Sequence, residues 1–259
     1  MAFSLPPDTL FTPNVFKLHC LLGLKNARAI GVNAICHTFM TSMDILNHYI
    51  GCGTIDYALI VTSTKYSAIQ DFTSSISVAA GDGAAAAVLG PCAKSKGILV
   101  SKHFSETKYH DSMHVMRRPP LRPQPAYFAW GESQSVERPF FTITEPKLAR
   151  EMVAEIPHIG ERVRKEVLEE EGYKHSDVAL MVTNAAFTWY SPVLSKIVGV
   201  PMERVEDNVL QFSNMGTVNL PMNLYLARKK ARIRPDDLVL LAGHGGGLSY
   251  GGILLRWQD

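Results

Sequence analysis

Cysteine is scarce in this chain. There are four in 259 residues, Cys20, Cys36, Cys52 and Cys92, and none stands in a Cys-x-x-Cys arrangement. That density argues against a disulfide framework, and the spacing supports no zinc site, so no metal is expected. Sparse, unpaired thiols point to a reducing, cytoplasmic compartment. Long hydrophobic runs are also lacking: none reaches the ~20 residues needed to span a bilayer, and no membrane insertion is expected. Met1–Pro7 lacks a basic segment followed by an apolar stretch and does not read as a signal peptide. Charge of one sign is missing too, with 26 Lys and Arg against 24 Asp and Glu. Arg117-Arg118 and Arg228-Lys229-Lys230 are short clusters that read as solvated faces, so nucleic acid is not an expected partner. Gly81-Asp82-Gly83 and Gly245-Gly246-Gly247 match neither a P-loop nor a G-x-G-x-x-G opening a helix.

What is present is enough apolar material, 46% of residues, for one large domain or two intimate ones. Ala29–Ile35 suits a buried strand and Thr38–Ile50 a helix. Cys36 between them is expected at an elbow, where free N–H groups and the helix dipole favour a thiolate. Glu145–Gly172 has apolar residues at helical spacing and is expected to form one long helix that stops at Gly172. Between these, residues 105–138 are rich in Pro, Arg, His and aromatics, and read as a loop-rich excursion that either shapes a substrate entrance or is a surface insertion.

A weak internal repeat organises the rest. The first copy runs from an apolar strand through Cys36, a helix, and the strand Tyr57–Val61. The second runs from Asn208–Phe212, read as a strand, through Ser213-Asn214-Met215-Gly216, a helix near Leu220–Ala231, and the strand Leu238–Leu241. Each is followed by a glycine turn and a small-residue strand, Gly81–Leu89 and Gly245–Leu255. Asn214 thus stands where Cys36 stands in the first copy, and the two elbows are placed to face one cleft. The expected division is 1–104 for the first half, 105–138 for the excursion and 139–259 for the second half.

Leu21–Cys36, the Gly81–Leu89 motif and Leu238–Trp257, taken in this order, resemble the β-ketoacyl-acyl-carrier-protein synthase III group of the thiolase superfamily. The resemblance implies an α/β, five-layered α/β/α/β/α thiolase-like fold of two pseudo-duplicated halves, usually dimeric. The family has more chain before its cysteine, so the N-terminal half is expected to be incomplete, and loss of a central strand is part of that expectation. The implied function is acyl transfer: an acyl-Cys36 thioester forms from acyl-coenzyme A or an acyl carrier protein, and the acyl group passes to an acceptor by condensation or by O- or N-acyl transfer. Fatty-acid or secondary-metabolite biosynthesis would be the setting. No tightly bound cofactor is implied, only the coenzyme A or phosphopantetheine thioester as substrate.

The resemblance also assigns site residues. Asn214 matches the family asparagine. Asn184, in Met181–Phe187, stands where the family has its catalytic histidine. His244 stands where the family usually has Phe, and either supplies an imidazole base or fills an aromatic slot. Backbone N–H groups of Cys36 and Gly246 are the candidate oxyanion hole. Phe11, Phe39 and Phe187 are the candidate acyl pocket, with Phe11 at a dimer interface. The altered histidine position leaves a second reading open: an impaired partner subunit that completes or regulates a related condensing enzyme, as a heterodimer rather than a homodimer. A thioester-binding protein without turnover is the third.

Overall fold

The structure is a computed structural model that describes residues 1–9, 11–118 and 138–258. The first sheet consists of β1 (Ala2–Leu5), β2 (Ala58–Thr64) and β3 (Gly83–Leu89), in that spatial order. β1 runs parallel to β2, and β3 antiparallel to it. Strict alternation along β2 turns Ala58, Ile60, Thr62 and Thr64 inward and leaves Leu59, Val61 and Ser63 on the other face. The inward face packs on α2 (Thr38–Gly51), which buries Phe39, Met40, Met43 and Leu46, a stripe at helical spacing.

The second sheet takes β4 (Gly97–Ser105), β7 (Val178–Thr183), β8 (Val205–Glu206), β9 (Leu238–Gly245) and β10 (Ser249–Arg256), in the order β4-β10-β9-β7-β8. Its central strands are buried along both faces, as their continuous apolar runs require. One face meets α2 and α7 (Asn219–Lys229) through Leu180, Val182, Val239, Leu241 and Ile253. The other is covered by α3 (Pro146–Ala154), α4 (Ile156–Arg162) and α5 (Tyr190–Val198) through Met152, Ile156, Ile159, Tyr190 and Leu194. Each such fully buried aliphatic side chain contributes about 1.5–3 kcal/mol. The layers therefore run helix, sheet, paired helices, sheet, helix. On the outer side of the first sheet lies α1 (Asn14–Leu21), which buries only Val15. Ala84, Ala86 and Val88 of β3 remain exposed there, Val88 to 70%.

Four expectations need correction. Ala29–Ile35 does not form a strand; it is extended chain tied to β1 by one parallel bridge, Ala2 to Gly31, because most of it is exposed and lacks a second ladder. Asn208–Phe212 is not a strand either: Val209–Phe212 is a helical turn, α6, and the strand before it is only the two residues of β8. The long helix is broken at Glu155, since Pro157 supplies no N–H to Val153, and it continues as a π-helical turn over Val163–Leu168 before Gly172 ends it at φ 81°. Finally, all but the last residue of β4 falls in the expected first half, 1–104, yet β4 pairs antiparallel with β10, so the crossing between sheets lies at about residues 90–96. Part of the expected excursion is ordered: β5 (Met113–Arg118) pairs with β6 (Arg138–Ile143). Residues 119–137 of it lie outside the described residues.

The repeat also shows which strand has no counterpart. β1, β2 and β3 correspond to β7, β9 and β10, with α2 before β2 and α7 before β9. Beyond β10 the second sheet adds β4 at its edge, and nothing described lies at that place beyond β3. The unmatched position is therefore an edge, not the sheet centre.

Candidate active site

Cys36 lies in a short 3-10 turn, Ile35–His37, that runs directly into α2. The turn is strained: Ile35 takes φ 51°, a left-handed conformation costly for a β-branched residue. Local side chains hold it. Asn33 Oδ1 accepts from the Ile35 N–H at 3.0 Å, and Thr38 Oγ1 accepts from the Ala34 N–H at 2.9 Å while donating to the Ile35 carbonyl at 2.7 Å. The β9 end is pressed against this elbow. A Cβ on Gly245 would stand 2.9 Å from both the Ala34 oxygen and the His37 nitrogen, so only glycine fits.

Asn214 is brought to the same place by the matching elbow before α7. Its backbone bonds the chain before β3, with Asn214 N–H to the Ala79 carbonyl at 2.9 Å and Gly81 N–H to the Asn214 carbonyl at 2.9 Å. Its Oδ1 accepts from Gly216 N–H at 2.8 Å and from Asn219 Nδ2 at 3.1 Å. The amide is thereby oriented, and among the described residues its Nδ2 has no partner.

Cys36, Asn214, Asn184, His244, Phe187 and Gly246 line one cavity of about 480 Å³, within the usual size range for small-molecule sites. Most of its remaining wall is apolar, from Leu5, Ile76, Met113, Phe141, Ile143, Met152 and Ile156. Both halves and the β5–β6 pair contribute. Phe187 stacks on Trp189 with ring centroids 5.6 Å apart. Phe39 lies instead in the core between the sheets, 2% exposed, and Phe11 is 96% exposed and outside the cavity of its own chain.

Electrostatics set the protonation states. Burial raises the Cys36 thiol pKa, opposed by the Tyr66 hydroxyl and by the backbone N–H groups of Cys36 and Gly246. The helix start therefore does not by itself make a thiolate; it reduces the penalty of one. Burial lowers the His244 pKa to about 4, which keeps its imidazole neutral at pH 7. The ring packs on Tyr190, centroids 4.8 Å apart, and its Nδ1 is buried without a partner.

Asn184 is fully engaged. Its Nδ2 donates to the Cys36 carbonyl at 3.2 Å and to the His244 carbonyl at 2.8 Å, and its Oδ1 accepts from Asn219 Nδ2 at 3.2 Å. It is 2% exposed, so both amide hydrogens are committed to the backbone of the elbow and of β9. Asn219 forms the hub of this set, reaching Asn184, Asn214 and the Ala185 carbonyl through one amide nitrogen, while its Oδ1 accepts from Met215 N–H.

Sequence reasoning missed two neighbours, Tyr66 and Asn219, and set a third, His37, aside as a weaker candidate than His244. Tyr66, 7% exposed, places its hydroxyl 3.9 Å from Cys36 Sγ. His37, 2% exposed, shares a 2.8 Å hydrogen bond with His103 on β4, which in turn bonds Ser101 at 2.9 Å. Burial first, then His103 and His244, lower the His37 pKa to about 3. For Asn219, its place in the motif Ser213–Pro221 was the one available signal.

A layered pair of similar halves, with a cysteine elbow and an asparagine elbow on one apolar cavity, defines a thiolase-like fold with a candidate site. Residues 30–107 match the sequence model of 3-oxoacyl-[acyl-carrier-protein (ACP)] synthase III, and residues 168–257 match that of its C-terminal part. The chain belongs to this family. It is 25% identical over 255 residues to β-ketoacyl-[acyl-carrier-protein] synthase III of Aquifex aeolicus, covering 98% of this chain and 75% of that protein. Identity to the protein of the same name from Geobacillus kaustophilus is 27% over 264 residues, covering 98% and 74%. In fold it superimposes on the synthase III structure from Thermus thermophilus with a TM-score of 0.84 at 24% identity, covering 99% of this chain and 76% of that one. Among the described residues no helix is long and apolar enough to cross a membrane, and no cluster of His, Cys, Asp or Glu is suited to a metal.

Proposed function

We propose that this protein transfers acyl groups through an acyl-Cys36 thioester, taking them from an acyl-coenzyme A or acyl carrier protein. The observation that carries the reading is Cys36 on a strained elbow that opens into an apolar cavity, with the N–H groups of Cys36 and Gly246 directed at its sulfur. In the first step the sulfur bonds to the acyl carbonyl carbon and the donor C–S bond breaks. The thiol proton passes by way of neutral His244 to the departing thiolate. The two N–H groups stabilise the tetrahedral oxyanion. In the second step an acceptor attacks the acyl carbon, His244 takes the acceptor's proton, and Cys36 departs and is reprotonated.

The free Nδ2 of Asn214 supports its role in orienting the acceptor or its carbonyl. Asn184 is a positioning residue in this scheme. With its amide committed to the backbone, it has no free donor for a developing enolate, which favours O- or N-acyl transfer alongside carbon–carbon condensation. The test is intact-mass analysis after incubation with octanoyl-coenzyme A. An added octanoyl mass is expected on the wild type and not on Cys36→Ser; an unlabelled wild type would sink the reading.

One observation favours a second reading, the partner subunit. The outer face of the first sheet presents Val88 and the small residues of β3 under no described helix. Purification from the native host decides it: a stoichiometric related subunit carrying its own cysteine, histidine and asparagine would support that reading.

A further inference from the structure

One polar side chain on the cavity wall is not used by the scheme above. Gln70 lies on the short loop after the Tyr66–Ala68 turn and is 4% exposed. Its Oε1 is buried without a hydrogen-bond partner, and among the described residues nothing bonds its Nε2. The loop gives it little freedom to find one. Ile69 is fully buried, its N–H bonds the Tyr66 carbonyl at 2.8 Å, and its carbonyl accepts from Phe141 N–H at 2.6 Å. The same cavity wall includes Leu5, Tyr66, Ile76 and Phe141. Tyr66 spans the distance to the reactive sulfur, since its ring meets Phe141 edge-on and its hydroxyl faces Cys36.

Buried side-chain amides in native proteins are rarely left unpaired, and those that are call for a ligand or a water to satisfy them. The missing partner must be a hydrogen-bond donor, because Oε1 only accepts. A thioester carbonyl cannot supply it, and neither can a plain hydrocarbon chain. A carboxylate would meet Oε1 with like partial charge. A hydroxyl or an amide fits, because each donates to Oε1 and accepts from Nε2. The amides of the pantetheine arm are a second source of the same chemistry. That arm has to run outward to its nucleotide or carrier protein, whereas Gln70 is a lining residue only 4% exposed.

We infer that Gln70 recognises a hydroxyl or amide carried within the acyl chain itself, so that the preferred acyl donor is an oxygen- or nitrogen-substituted acyl thioester rather than a simple fatty one. This specificity rests on the acyl-Cys36 reading and is tested apart from it. Binding of four ligands to the Cys36→Ala variant is measured by calorimetry: octanoyl-coenzyme A, its 3-hydroxy and 8-hydroxy analogues, and 6-acetamidohexanoyl-coenzyme A. At least one polar ligand is expected to bind about tenfold more tightly than octanoyl-coenzyme A, and that ratio should collapse to about one when Gln70→Met is added. Thermal melting verifies that the double variant is folded, and Gln70→Leu replaces it otherwise.

All four ligands binding within about twofold of one another would overturn the inference, leaving a water alone on Gln70. Equal weakening of all four by Gln70→Met would overturn it too, since the amide would then serve the pantetheine arm. The labelling experiment on Cys36 reports separately. A polar preference without covalent label removes the transfer reading and leaves the binding specificity standing.

Discussion

Replacing Asn184 by Asp changes two atoms' worth of chemistry and should cost far more than its size. The side chain keeps its shape and its acceptor for Asn219, but it loses both N–H donors. The Cys36 and His244 carbonyls, now held at 3.2 and 2.8 Å, would each face an oxygen instead. Leaving a buried polar group unpaired costs about 1–3 kcal/mol, so two carbonyls give about 2–6 kcal/mol. That range holds for the ionised carboxylate; protonating the new carboxyl restores one O–H donor, at the cost of holding its pKa above the ordinary value. Domains of ordinary stability have about 5–15 kcal/mol in total, so the loss is a large share. At about 2–4 °C per kcal/mol for a chain of this size, melting should fall by about 10 °C. Urea unfolding measures it, with Asn184→Leu as the uncharged comparison that also removes both donors. A purely catalytic Asn184 would behave differently: acyl labelling would fall and stability would not. An unfolding free energy for Asn184→Asp within about 0.5 kcal/mol of wild type would refute the clamp.

Other perturbations test the same geometry from different sides. Gly245→Ala forces a methyl group against the backbone at Ala34 and His37, and should destabilise by about 1–3 kcal/mol while lowering the rate of Cys36 alkylation by iodoacetamide; unchanged alkylation would show that the elbow does not depend on this approach. Thr38→Val removes two of the three side-chain bonds that hold the Ile35 turn, and a loss of about 1–2 kcal/mol in urea unfolding is expected, against near-zero loss for Thr38→Ser. Acid should weaken the fold well before carboxylates titrate. His37 and His244 bind their protons near pH 3 and 4 when folded, against 6.5 as the ordinary value, so the unfolded state holds more protons between those limits. Stability is therefore full above pH 6.5 and declines as pH falls toward 4, at up to about 1.4 kcal/mol per pH unit for each histidine. His244→Phe should flatten that slope; a slope equal to wild type would show that His244 is not buried neutral.

Local chemistry made much of this site readable. The helix after Cys36 was visible because Phe39, Met40, Met43 and Leu46 fall on one face, and β9 because a strand covered on both sides must be apolar throughout. The elbow before α7 was visible by its repeat relation to Cys36 and by the resemblance carried by the residues around Asn214. What stayed hidden depends on partners far along the chain. Val209–Phe212 has the composition of a strand, but its position after β8 gives it no ladder, and it closes as a turn of helix. Tyr66 reaches Cys36 across thirty residues, and Gln70 looks like an ordinary polar loop residue until the wall around it is assembled. Asn184 was legible as a substitution at the histidine position, but not as a clamp, because both carbonyls it holds belong to other elements.

The placing of β10 has a consequence for how the chain acquires its structure. β10 sits between β4 and β9 and pairs with both, so Gly97 finds Arg256 only after the whole intervening chain has been made. Until β10 emerges from the ribosome, β4 has no neighbour and β9 has an open edge. Pairings so distant in sequence are slow, and they leave strand edges open to other chains in the meantime. His103 on β4 would reach His37 only after the same event, so the surroundings of Cys36 should be among the last parts to mature. A nascent chain halted before β10 should hold its cysteine in an unfinished, solvent-open setting, and chaperone dependence should concentrate at that stage of synthesis.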